Sequence, residues 1–270
     1  MPHIIPAALL GVSFLLGCSH EPTETNVGVT TKARRTALDS AMKQLDAGRT
    51  VEALAITSKL VLRDPSSHEV LEKHAIVLLA EASRVDNNGE YELAIERREE
   101  ALEAYVAACA HIGVGGETQF SAAQLAHMLG EIDLAQSLYK KTHQALPKDG
   151  RSALWLAQIE LLNKNWNSAN DWINESLLRQ PLEPSALISA GLIQANLGNC
   201  KKGMQYTNKA VSLQPSDENF RLMQARVLRI CHEPRRALEL LSSLSLAMRT
   251  TDLVILEVNL CKAGLNEQQH

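Results

Sequence analysis

The chain has 270 residues, 45% of them hydrophobic but only 4% aromatic, with 14 glycines and 9 prolines. At about 150 residues per domain this allows one or two domains. An Ala- and Leu-rich core with so few rings points to closely packed helices, and Gly and Pro are too scarce for an all-β, collagen-like or low-complexity chain. With 27 Lys plus Arg against 31 Asp plus Glu the net charge is −4, which gives no sign of a nucleic-acid-binding face.

Residues 1–17 carry no Asp, Glu, Lys or Arg, and an apolar run from Ile4 to Leu16 leads into Leu15-Leu16-Gly17-Cys18. The run is too short for a membrane-spanning helix, which needs ~20 residues, and suits the hydrophobic region of a signal peptide. The residues alone leave open a buried N-terminal helix with the same ending. The ending resembles the lipobox of bacterial lipoproteins, in which an aliphatic residue, a tolerant position and a small residue precede the cysteine. That resemblance implies a signal peptide at 1–17 and a lipidated Cys18 as the mature N-terminus. At ~0.8 kcal/mol per buried CH₂, the two or three acyl chains of a lipoprotein form a stable anchor. Ser19 after the cysteine favours the outer membrane by the enteric rule, so the expected address is the cell envelope, facing the periplasm. Residues 18–31 then comprise the lipidated cysteine and a polar tether averaging roughly 20 Å end to end. Without lipidation the expectation is instead a non-lipidated regulator or co-chaperone.

From residue 32 onward the sequence repeats. A small residue recurs within helical patterns at Ala41, Ala75, Ala123, Ala157, Gly191 and Ala225, spaced 34, 48, 34, 34 and 34. A second small residue follows at Ala53, Ala94, Ala135, Ala169, Gly203 and Ala237, spaced 41, 41, 34, 34 and 34. Turn glycines stand at Gly48, Gly89, Gly130 and Gly198, with Lys164 and His232 in the same register. Pro65, Pro147, Pro181 and Pro215 close units, because proline cannot continue a helix. A helix–turn–helix unit of this period resembles the tetratricopeptide repeat, TPR. The resemblance covers about residues 34–249. It implies an all-α, right-handed superhelical solenoid of about six helix pairs with a C-terminal capping helix, its concave groove binding a protein or peptide segment.

In chain order the predicted pairs are 32–47 with 50–63, 67–87 with 90–111, 117–129 with 132–145, 151–163 with 166–179, 184–197 with 200–213, and 218–231 with 234–247. Pro184 and Pro234 sit at helix starts, where a missing N–H is harmless. Residues 251–263 form the unpaired cap, and the solenoid occupies 32–270. The second pair carries about 14 extra residues, split seven and seven, which lengthen both of its helices.

No catalytic or metal-binding pattern stands out. His68 and His74 lie on different helix faces, neither HExxH nor CxxC occurs, and Gly113–Thr118 lacks the lysine of a P-loop. The expectation is a non-enzymatic scaffold with no cofactor, no metal and no small-molecule substrate. Cys109, Cys200, Cys231 and Cys261 all fall in or beside helices, where Cys often serves as a small hydrophobe. Cys200 and Cys231 share one edge of adjacent repeats, so both buried thiols and a disulfide stay open. The concave surface should come from first-helix side chains. Phe120 and Leu154 are its apolar anchors, Gln124, His127, Gln158 and Asn196 its polar ones, and Arg151, Arg226 and Arg229 its cations. Arg226 and Arg229, three apart on one helix, share a face, so with Phe120 and Leu154 the groove suits an extended or helical segment with hydrophobic side chains toward one end and acidic groups toward the other.

Overall fold

The structure, a computed structural model, describes residues 30–267. The signal peptide at 1–17, Cys18 and nearly all of the tether at 18–31 lie outside the described residues.

Six antiparallel helix pairs follow one another: α1 (Thr31–Asp46) with α2 (Thr50–Arg63), α3 (His68–Asn87) with α4 (Tyr91–Cys109), α5 (Gly116–Met128) with α6 (Ile132–Ala145), α7 (Arg151–Leu162) with α8 (Trp166–Arg179), α9 (Pro184–Asn196) with α10 (Cys200–Leu213), and α11 (Glu218–Ile230) with α12 (Pro234–Ser242). A short α13 (Leu246–Arg249) leads to α14 (Asp252–Glu267). There is no strand among the described residues. Each helix packs on the next, and each first helix also rests on the second helix of the preceding pair. This is the layout of a solenoid, in which no pair buries its apolar face alone.

The small residues hold the pairs together. All ten alanines of the two recurring series are fully buried. A methyl on Gly191 would lie 2.4 Å from Thr207 Cγ2 and 3.0 Å from the Gly203 carbonyl oxygen. One on Gly203 would lie 2.8 Å from the Gly191 carbonyl oxygen. The fifth pair therefore approaches more closely than alanine permits, which is why glycine stands at both positions. The turns obey the same register. Gly48, Gly89, Gly130 and Gly198 have φ between 73° and 83°, and Lys164 and His232 adopt φ of 60° in their place.

Three boundaries differ from the sequence expectation by two residues or more. Helix α4 ends at Cys109, so part of the extra length becomes the loop before α5 rather than helix. Helix α12 stops at Ser242 instead of 247. There the Ser243 hydroxyl donates to the Leu240 carbonyl, and the Ser245 N–H and hydroxyl both donate to the Glu218 carboxylate. Ser245 in turn accepts from the Met248 N–H and caps α13. Local serine hydrogen bonds of this kind compete with helix continuation. The cap itself begins at Asp252 and runs to Glu267, four residues beyond its expected end.

The enlarged second pair has helices of 20 and 19 residues. Its interior holds the buried Glu81, which accepts from Arg84 through two bonds of 2.8 and 2.6 Å and from Thr50 at the start of α2. The residues of α3 beyond Glu81 therefore project past the first pair. Near the other end, Cys200 and Cys231 form a disulfide with Cα atoms 5.5 Å apart. It joins the start of α10 to the residue that ends α11, tying the fifth pair to the sixth. Cys261 is a buried thiol and Cys109 a half-buried one.

Candidate functional site: the concave groove

First-helix side chains one period apart occupy equivalent places on the solenoid, so the groove is assembled from the same helical positions in successive repeats. Near the centre its floor is closed by rings. Tyr139 stacks on Trp155 with centroids 6.0 Å apart, and His127 meets Trp155 edge-on at 5.0 Å. Phe120 lies 5.9 Å from Tyr139. Tyr139 is fully buried, and burial pushes its phenol well above the ordinary value. These rings tie the third pair to the fourth.

Most of the predicted groove residues are committed within the fold. Phe120 is buried rather than open, with the Arg151 guanidinium 4.4 Å above its ring. Arg151 donates to Asp149 and Glu117, each at 2.6 Å. Its pairing with Asp149 raises its own pKa and lowers that of Asp149 against the opposing effect of burial. Gln158 donates to the Ser189 hydroxyl at 3.4 Å, and Asn196 donates to the Leu192 carbonyl of its own helix at 2.8 Å. Leu154 is half-buried against the fourth pair's core. Gln124 is exposed.

Arg226 and Arg229 are the largest departure. The sequence places them as cations awaiting an acidic segment. Instead both face Glu257 of α14, with Arg226 Nε 3.3 Å from Glu257 Oε2 and Arg229 Nε paired with Oε1. Glu257 is buried and the arginines remain about a quarter to a third exposed. The chain thus supplies its own carboxylate to the arginine pair, and the contact clamps the cap onto the sixth repeat.

Besides Gln124, the most open side chains are apolar. Met128 and Leu162 are 68% and 74% exposed, and they stand one 34-residue period apart in the register of Asn196. On α14, Leu253, Leu256 and Leu260 are 56%, 52% and 41% exposed. These three follow Asn219, Leu222 and Arg226 by one period, so α14 stands in the place of a seventh first helix, with an apolar face that no later helix covers among the described residues. The repeat register alone contains this signal, once it is carried past Arg249.

Among the described residues no three His, Cys, Asp or Glu side chains gather as a metal site, and no helix is long and apolar enough to cross a membrane.

The sequence matches no family model and no curated protein. The fold is nevertheless that of the TPR solenoids. A TPR protein from Parabacteroides merdae superposes with a TM-score of 0.67 at 15% identity, over 88% of this chain and 89% of that one. PilF of Pseudomonas aeruginosa gives 0.59 at 17% identity, over 86% and 97% of the two chains. YrrB, a TPR protein described as having an unusual peptide-binding site, gives 0.54 at 15% identity, over 76% and 100%.

Proposed function

We propose that this protein is a lipid-anchored, non-enzymatic adaptor of the bacterial cell envelope whose concave groove binds a protein segment. The observation that carries the binding reading is the open pair Met128 and Leu162, in the register of Asn196, together with a second open apolar group on the cap, Leu253, Leu256 and Leu260, among charges that are already paired. Fully burying a leucine is worth about 1.5–3 kcal/mol and these partly exposed ones gain a fraction of that, whereas recruiting Arg226 or Arg229 would first require parting them from Glu257. The segment that suits this surface keeps the apolar character expected from the sequence but not its acidic end, since Arg226 and Arg229 already face Glu257. The envelope address is supported by Leu15-Leu16-Gly17-Cys18 and by the Cys200–Cys231 disulfide, which belongs to an oxidising compartment. A role in assembling a pilus, secretion or outer-membrane complex is the specific candidate, by analogy with the architecture alone, a repeat solenoid on a lipid anchor.

The test has two arms. Mass spectrometry of the mature N-terminus should find acylated Cys18; an unprocessed, unmodified N-terminus removes the anchor from the reading. Affinity capture from the source envelope should recover a partner with wild type and lose it with Leu162→Asp combined with Leu256→Asp, helical content unchanged. Equal recovery by both proteins would exclude the groove.

A further inference from the structure

A second depression lies between the second helices α2 and α4, above α3, and shares no residue with the concave groove. Its volume is about 520 Å³. Each wall is a single helix face. Leu54, Ser58 and Val61 of α2 are spaced four and three apart, Leu71, His74 and Leu78 of α3 three and four apart. On α4 the lining begins at Arg97 and Glu100 and ends at Ala104 and Ala107. Such spacings keep residues on one side of a helix, so the depression runs along the helix axes as a trough. At 1.5 Å per residue, the stretch from Arg97 to Ala107 is about 15 Å long. A helix about 10 Å across, sunk to half its depth over that length, displaces roughly 600 Å³. The trough thus has the length and volume to seat about three turns of helix.

Its chemistry divides in two. The floor is apolar apart from His74, whose Nδ1 lies 2.9 Å from Thr57 Oγ1. Burial lowers the pKa of this imidazole, against the smaller opposing effect of Glu100, and so favours an uncharged floor. The α4 rim is acidic. Glu96, Glu99 and Glu103 are exposed along it, and both arginines of α4 are spoken for, Arg97 by Glu100 at 2.6 Å and Arg98 by Asp86. Glu103 lines the trough and forms no ion pair among the described residues.

We propose that this trough docks an amphipathic helix of a partner protein, with its apolar face between α2 and α4 and a lysine- or arginine-bearing edge against Glu100 and Glu103. An anionic lipid or acidic peptide would meet the glutamates with like charge. This surface is independent of the concave groove, so the protein holds two partners or two parts of one.

The full chain should be titrated with a fluorescent helical peptide of about four turns, leucines on one face and lysines along one edge. The expected result is saturable binding that weakens with added salt, falls roughly tenfold with Glu103→Lys, is abolished by Ser58→Trp, which fills the trough, and is unaffected by Glu239→Lys on α12. Replacing the peptide's lysines with glutamates, or its leucines with serines, should abolish binding. The proposal is overturned by absence of binding, by equal binding of the lysine and glutamate peptides, or by indifference to Glu103→Lys, an exposed change that leaves the fold intact. It is also overturned if the protein self-associates without peptide and Ser58→Trp prevents it, since the occupant is then a second copy.

Discussion

Removing the disulfide with Cys200→Ser and Cys231→Ser should loosen the C-terminal repeats and leave the N-terminal ones alone. The bond closes a loop with a sequence separation of 31 residues that contains all of α10 and α11. The chain-entropy relation gives about 12 cal/mol/K for such a loop, or about 3.7 kcal/mol at 25 °C. Because each repeat contacts only its neighbours, the loss should not spread evenly through the solenoid. A change of 3.7 kcal/mol corresponds to roughly a 500-fold rise in the opening constant. Native-state hydrogen exchange, read helix by helix, measures this directly. Amides of α10, α11 and α12 should lose roughly two to three orders of magnitude of protection, while those of α3 and α4 should hold theirs. The premise is checked by thiol titration of denatured, unreduced Cys18→Ala protein, which should expose two thiols, Cys109 and Cys261. Four reactive thiols would refute the bond. An unchanged exchange pattern in the double variant would refute the loop-closure reasoning even if the bond exists.

Three further outcomes follow from the packing and the charges. Ala157→Leu and Ala169→Leu, both at fully buried contacts, should each cost about 1–3 kcal/mol by overpacking, whereas exposed Glu99→Ala should stay within about 0.5 kcal/mol; equal denaturant midpoints would show that these alanines are not at close helix contacts. Hydrogen bonding from Arg84 holds the buried Glu81 carboxyl down to about 2, against 4.5 for a free glutamate, so its stabilising contribution is full above pH 4.5 and is lost as pH falls from there toward 2. Glu81→Gln should therefore flatten that part of the stability–pH curve, and an unchanged acid limb would contradict the assignment. Changing Arg226 and Arg229 together to Glu would set three carboxylates at the clamp, so α14 should lose exchange protection while α7 and α8 keep theirs; an undisturbed α14 would mean that Glu257 does not hold the cap.

The repeat was legible because its determinants are local and periodic. Ala157 and Ala169 follow Ala123 and Ala135 by 34 residues, and sterics at a close helix contact tolerate little else. The same register picked out Lys164 and His232 as turn residues despite their side chains, and both adopt positive φ. The groove was less legible because its character depends on which charges meet across repeats. Arg226 and Arg229 are near neighbours of each other, but their partner Glu257 comes from the cap, about one period later. Nothing in the local pattern of either segment announces that pairing. The trough beside α4 was illegible for a related reason, since it exists only where faces of three helices converge. The end of α12 was missed because Glu218, 27 residues upstream of Ser245, supplies the acceptor that shapes the break.

The long second pair also bears on the order in which the protein assembles. Helices of 20 and 19 residues give this hairpin the most extensive contact of any pair between segments close in sequence, and local contacts form fastest. During synthesis the first pair emerges earlier, yet it lacks the neighbour on which α2 rests. It must wait for α3, whose Glu81 accepts a hydrogen bond from the Thr50 hydroxyl at the head of α2. The hairpin is then a seed placed near the ribosome-distal end. From it, order spreads back over one pair and forward over four, each new repeat docking on a surface already formed.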